Sequence, residues 1–131
     1  MKKVLFVCVE NAGRSQMAEA FAKLYSAGKI EAMSAGTVPA REVNPVVAEA
    51  MREKGMDISG NRPKVITTDM VQEADVIITM GCSAEGFCPV QFLSKVVDWK
   101  LEDPKGKSIE QVRQIRDEVE KKVKELIEKL E

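Results

Sequence analysis

At 131 residues the chain can bury a core but is too short for two comfortable domains, so one domain over residues 1–131 is expected. Twenty basic residues against twenty-one acidic ones leave a net charge of −1 with no tail of one sign, which argues against nucleic acid or an anionic membrane surface as partner and for small molecules or proteins. Histidine is absent, which removes the commonest general base, the Cys-His dyad and every imidazole metal site; no metal and no other cofactor is expected.

The first element is an apolar strand from Lys3 to Cys8. The opening MKKVLFVCVEN is too short in its apolar part for a signal-peptide core and runs into Glu10 and Asn11. No apolar run approaches the length of a membrane span, so a cytoplasmic location is expected. Thiols are kept reduced there, which makes Cys8, Cys82 and Cys88 candidates for chemistry and not a structural disulfide framework.

After the strand, QMAEAFAKLY reads as a helix, and the stretch CVENAGRS joins the two. Asn11 and Gly13 both tolerate left-handed geometry, so the five residues between Cys8 and Arg14 can wrap backbone N–H groups around a small anion. The helix N-terminus adds its positive end, and the planar fork of Arg14 matches two oxygens of a tetrahedral oxyanion. The same fields act on Cys8, since a thiol of free pKa about 8.5 falls to roughly 3.5–7.5 beside a helix N-terminus and a cation. Ser15 is placed to donate to the sulfur and Asn11 to hold the loop. A buried core cysteine with a surface arginine is the alternative. A strand before, a helix after, small residues within and serine directly after the arginine favour the anion loop.

Next come a strand from Ile30 to Ser34 and a helix opened by Asn44-Pro45, which runs through VVAEAMREK to a stop at Gly55. SGNRPKVITTD reads as a loop and Thr68 to Ala74 as a short helix. Strands follow at Asp75 to Met80 and Lys95 to Trp99. The last helix opens on a capping box, Ser108 with Gln111, and Ile109, Val112, Ile115, Val119, Val123, Leu126 and Leu130 form its apolar stripe. Its alternating Glu and Lys are a solvated face. This alternation predicts an α/β fold, a small doubly wound parallel sheet with helices on both faces. Ligands of such sheets bind beyond the carboxyl ends of the strands, where Cys8, Ser34, Cys82 and Asp103 all fall.

Cys82 and Cys88 bracket SAEGF after the third strand. On a helix they would lie about 10 Å apart, beyond the roughly 7 Å limit for a disulfide, so bonding them requires local unwinding. Gly81 and Gly86 suit a low-stability loop of that kind. A core cysteine at 82 and an incidental loop thiol at 88 fit the spacing equally well.

CVENAGRSQMAEAF, SAGT at 34–37, MGCSAEGFCP at 80–89 and DWKLEDPKGK at 98–107 together resemble the thioredoxin-coupled arsenate reductases, which share the low-molecular-weight protein tyrosine phosphatase fold. The resemblance spans essentially the whole chain and implies a four-stranded sheet of order 2-1-3-4. It implies that Cys8 attacks arsenate, that Cys82 then attacks the Cys8 sulfur and releases arsenite, and that Cys88 displaces Cys8 to leave a Cys82–Cys88 disulfide. In that loop only the pair GC and CP carries over. Thioredoxin or a similar dithiol would reset the pair, phosphate and sulfate are expected as competing oxyanions, and a monomer is expected. Asp103 takes the role of general acid, although Asp-Pro is also a common turn. Glu102 is expected to face solvent.

Some of these relatives hold potassium at positions matching Asn11, Glu19, Ser34 and an acidic residue, and Lys64 falls at the acidic one. The expectation is that its ammonium replaces the ion and pairs with Glu19; a solvated loop lysine is the alternative. Two other functions compete. A low-molecular-weight tyrosine phosphatase would use a phosphocysteine at Cys8, a reading weakened by Lys105, Gly106 and Lys107, where those phosphatases typically carry tyrosines. A non-catalytic thiol module would bind an oxyanion or a soft metal without turnover.

Overall fold

The computed structural model describes residues 1–81 and 90–130, so Cys82 and Cys88 lie outside the described residues. Strand β1 (Lys2–Cys8) runs between two parallel neighbours, β2 (Ile30–Gly36) and β3 (Val76–Thr79), and β4 (Val96–Asp98) lies beyond β3. The order is β2-β1-β3-β4, all parallel. Its central place explains why the chain spends its densest apolar run, VLFV, on β1: Val4, Leu5, Phe6 and Val7 are fully buried, as a strand covered on both faces requires.

Alternation sorts those side chains. Val4, Phe6 and Cys8 join the larger core with α1 (Arg14–Ser26), α2 (Pro45–Arg52) and α4 (Ile109–Leu130), whereas Leu5 and Val7 pack with Val71 of α3 (Thr68–Glu73) on the opposite face. Cys8 thus belongs by parity to the face that carries α1, the helix that opens just after it.

Local signals place the helices. Asn44 caps α2 by accepting from the Val46 N–H at 2.9 Å, with Pro45 at the first position, and the helix is stopped by Gly55 at φ +81°. The capping box of α4 closes both ways: Gln111 N–H to Ser108 Oγ at 3.3 Å, and Ser108 N–H to Gln111 Oε1 at 3.1 Å. The stripe of α4 supplies Val112, Ile115, Val119 and Val123 to the core.

Two features depart from expectation. Strand β2 runs to Gly36, two residues past Ser34, because β1 pairs with it that far, and a distant segment adds to its end: Gly36 N–H donates to Lys64 O at 2.8 Å and Ile66 N–H to Gly36 O at 2.9 Å. A 3-10 helix, Val90–Lys95, precedes β4. At its end the Lys95 ammonium donates to Val71 O, Gln72 O and Ala74 O at 3.3, 3.1 and 2.7 Å, a cation on the carbonyl end of α3.

The register aligns Cys8 with Gly36, Val7 with Thr79, and Thr79 with Asp98. The strands therefore end nearly level, and the loops after β1, β2, β3 and β4 leave the same edge of the sheet.

Candidate active site

Cys8, the last residue of β1, is 3% exposed, and the next residues fold over its sulfur. Asn11 adopts the left-handed conformation its type tolerates, φ 52°, which turns its N–H onto Cys8 Sγ at 3.2 Å. Asn11 Oδ1 accepts from the Lys64 backbone N–H at 2.9 Å, a group that can only donate. That contact fixes which way the Asn11 amide points, so Nδ2 faces Ser15 Oγ at 2.8 Å. The Ser15 oxygen is thereby engaged as an acceptor, and its single proton is left for Cys8 Sγ, 2.8 Å away. Two donors, one hydroxyl and one main-chain N–H, converge on the sulfur.

Helix α1 begins at Arg14 with Gly13 in the cap position and no side chain capping the first turn. The amide groups that a capping Ser or Asp would have occupied thus remain for an anion. Gly13 is not left-handed as expected; its φ is −141°. Its lack of a side chain answers instead to Pro104, whose Cγ would lie 2.7 Å from an added Cβ.

Arg14, 7% exposed, crosses the edge of the sheet. Its Nη1 donates to Met80 O at the end of β3 and to Leu101 O at 2.9 Å, and Nη2 lies 3.8 Å from Asp103 Oδ2. One edge of the guanidinium therefore binds two loops together, leaving the Nη2 side toward the pocket. Asp103 forms the turn that its Asp-Pro sequence suggests, accepting from the Lys105 N–H at 3.0 Å, while its other oxygen faces Arg14. Glu102 faces solvent beside Lys107 at 3.7 Å. Cys8, Glu10, Gly13, Arg14, Asp103 and Lys105 line one small pocket.

Beneath the loop, Glu19 of α1 is 8% exposed and accepts from Ser34 Oγ at 2.7 Å and Lys23 Nζ at 2.8 Å, with Lys64 Nζ at 3.9 Å from the oxygen that Ser34 uses. This group does not suit a potassium ion, which needs free oxygen lone pairs. Asn11 Oδ1 already accepts from Lys64 N–H and from Gln16 Nε2, at 2.9 and 3.2 Å, and an ammonium stands beside Glu19. Among the described residues no group of three or more His, Cys, Asp or Glu is placed to hold a metal ion.

The structure thus brings Cys8, Gly13, Arg14 and Asp103 to one pocket, sets Asn11 and Ser15 against the Cys8 sulfur, and places Glu19, Ser34 and Lys64 in the layer below, whereas Cys82 and Cys88 lie outside the described residues. Sequence reasoning missed three contributors. Gln16, 1% exposed, braces Asn11. Asp98 accepts from the N–H groups of Gly81 and Lys100, at 2.8 and 3.0 Å, both left-handed at φ 92° and 53°, and so ties the loop after β3 to the loop after β4. Those hydrogen bonds hold the Asp98 carboxyl below its ordinary value against the opposing effect of burial. Glu10 pairs with Lys105 across the pocket. Only Gly81, next to a cysteine, gave a visible signal.

A family model described as low molecular weight phosphotyrosine protein phosphatase matches residues 3–131. The chain is 42% identical, over 133 aligned positions covering 99% of each protein, to a glutaredoxin arsenate reductase from Synechocystis sp.. Its structure is similar to that of an arsenate reductase in the phosphate binding state, with a TM-score of 0.89 at 41% identity and 100% of both chains covered. It is also similar to a thioredoxin-dependent arsenate reductase from Corynebacterium glutamicum, with a TM-score of 0.82 at 37% identity, covering 100% of this chain and 64% of that one.

Proposed function

The chain belongs to the low molecular weight phosphotyrosine protein phosphatase family, and on that premise we propose that it is an arsenate reductase, acting in the cytoplasm as a monomer with residues 1–131 as one unit. The observation that carries this reading is the Cys8 sulfur, held by Ser15 Oγ at 2.8 Å and Asn11 N–H at 3.2 Å on the floor of a pocket that Arg14 and Asp103 also line. That arrangement supplies a nucleophile, an anion cradle and an acid.

The Cys8 thiolate attacks arsenic, and the oxygen opposite leaves as water on taking a proton from Asp103. Arg14 and the loop amides hold the remaining oxygens, so charge that develops on them meets preorganised donors. Cys82 thiolate next attacks Cys8 Sγ. The electron pair of the sulfur–arsenic bond stays with arsenic, which leaves as arsenite, and a Cys8–Cys82 disulfide remains. Cys88 then attacks the Cys82 sulfur and expels Cys8 as thiolate, leaving Cys82–Cys88. Two electrons from a dithiol reset that disulfide. Thioredoxin suits the task because the product is an intramolecular disulfide; the relatives' names, one with thioredoxin and one with glutaredoxin, support a dithiol donor in general. No cofactor enters. Phosphate and sulfate, of the same shape and charge class, compete for the cradle, a point supported by the similar structure in its phosphate binding state.

A second reading, a phosphatase acting through phosphocysteine at Cys8, is favoured by the family itself and by the fact that Cys8, Arg14 and Asp103 suffice for it. Arsenate-dependent NADPH oxidation with thioredoxin and its reductase separates the two. The reductase gives many turnovers, Cys88→Ser at most one per chain, and Cys8→Ser none. Repeated turnover by Cys88→Ser refutes the relay. Hydrolysis of p-nitrophenyl phosphate that survives Cys88→Ser and vanishes in Cys8→Ser, with no arsenate turnover, establishes the phosphatase. Arsenate binding without either activity leaves only a thiol module.

A further inference from the structure

We propose that the Glu10–Lys105 ion pair is a filter at the mouth of the anion pocket that favours free inorganic oxyanions over anions carrying an aryl group, an inference that rests on the reductase reading above. Glu10 lies two residues past the nucleophile and Lys105 two residues past Asp103. Although 95 positions apart, they meet with Nζ 3.0 Å from Oε1, and both line the same pocket as Cys8 and Arg14.

Each end of the pair is pinned by its backbone. Glu10 O accepts from the Ala40 N–H at 2.9 Å, and the Lys105 N–H donates to Asp103 Oδ1 at 3.0 Å. The two charges are therefore set by the loops that carry the nucleophile and the acid and do not meet as a chance surface contact. Glu10, and to a lesser degree Asp103, raise the proton affinity of the Lys105 ammonium, which stays charged.

In-line attack from Cys8 requires the departing substituent to point out of the pocket, past Asp103 and toward this pair. For arsenate the substituent is a single oxygen, and the Lys105 ammonium offers the incoming anion a second cation beyond Arg14. An aryl substituent enters the same space, where it must desolvate the two charged groups or push them apart. Among the described residues it gains no stacking in return, because none that lines the pocket is aromatic and the apolar lining there is Ala12 and Pro104. An exposed ion pair is weak, so the filter sets a preference and not a barrier.

Calorimetric titration of the reduced protein with inorganic phosphate and with phenylphosphonate, which cannot be hydrolysed, tests this at a pH where both are dianions. Wild type is expected to prefer phosphate by roughly twofold to fivefold, within the range an exposed pair can supply. Lys105→Arg keeps the preference, and Glu10→Ala/Lys105→Ala abolishes it. Equal affinities in wild type, or a preference that survives in the double variant, overturn the filter. If the preference and its loss are seen without arsenate turnover, the reductase reading falls and the filter stands; turnover without the preference removes the filter alone.

Discussion

At the scale of single residues, the site depends on a chain of hydrogen bonds that starts far from the sulfur. The Lys64 main-chain N–H orients the Asn11 amide, the amide engages the Ser15 oxygen, and the Ser15 proton is directed at Cys8. Ser15→Ala removes one of two donors to the sulfur and also the acceptor of the buried Asn11 Nδ2, so arsenate turnover is expected to fall roughly tenfold to a hundredfold, with some loss of stability beside it. A full-speed Ser15→Ala protein would show that Ser15 does not act on the nucleophile. Lys64 also offers its ammonium to Glu19, in the layer beneath the loop. Wild-type turnover is therefore expected to be the same in potassium and sodium chloride at equal ionic strength; stimulation by potassium would contradict that assignment. Asn11, Arg14 and Ser15 were legible because the residue types needed for an anion loop fall in one octapeptide. Gln16 and Asp98 were not, because each acts on a partner brought near only by folding.

At the scale of elements, the hold of α4 on the rest of the molecule shows where the pattern was sufficient and where it was not. Its apolar stripe and capping box were readable from spacing. Its polar clamp was not: Arg113 Nη2 and Arg116 Nη1 meet the Glu53 carboxylate at 2.7 and 2.8 Å, and Arg116 Nη1 also donates to Ala50 O at 2.9 Å. Hydrogen bonds from Arg113 and then Arg116 hold the Glu53 carboxyl at about 2, below its ordinary 4.5. A lowered folded-state value means that the clamp stabilises the fold above the unfolded value and is lost as pH falls through the folded one. Glu53→Gln is therefore expected to be less stable than wild type at neutral pH, with the difference in melting temperature shrinking from about pH 4.5 toward pH 2. A difference that is constant with pH would rule out the clamp. Strand β2 runs two residues past its expected end for a related reason, since that end is paired by β1 and by the segment around Val65, both distant in sequence.

At the scale of the whole molecule, the parallel sheet delivers residues from separate loops to one edge, because β1, β3 and β4 end in register. Arg14 then ties the edge together, reaching Met80 O and Leu101 O from the first turn of α1. The strand order and the convergence of Cys8 with Asp103 were legible from motifs that span the chain. The Glu10–Lys105 pair was not, because a salt bridge across 95 residues leaves no periodic trace. The central claim is that Cys8 opens a relay that ends on the two later thiols. Disulfide mapping by peptide mass spectrometry after a single turnover with arsenate tests it most directly. The account predicts a Cys82–Cys88 disulfide in wild type and a trapped Cys8–Cys82 disulfide in Cys88→Ser; arsenite formed while Cys8 stays unbonded in Cys88→Ser would contradict it.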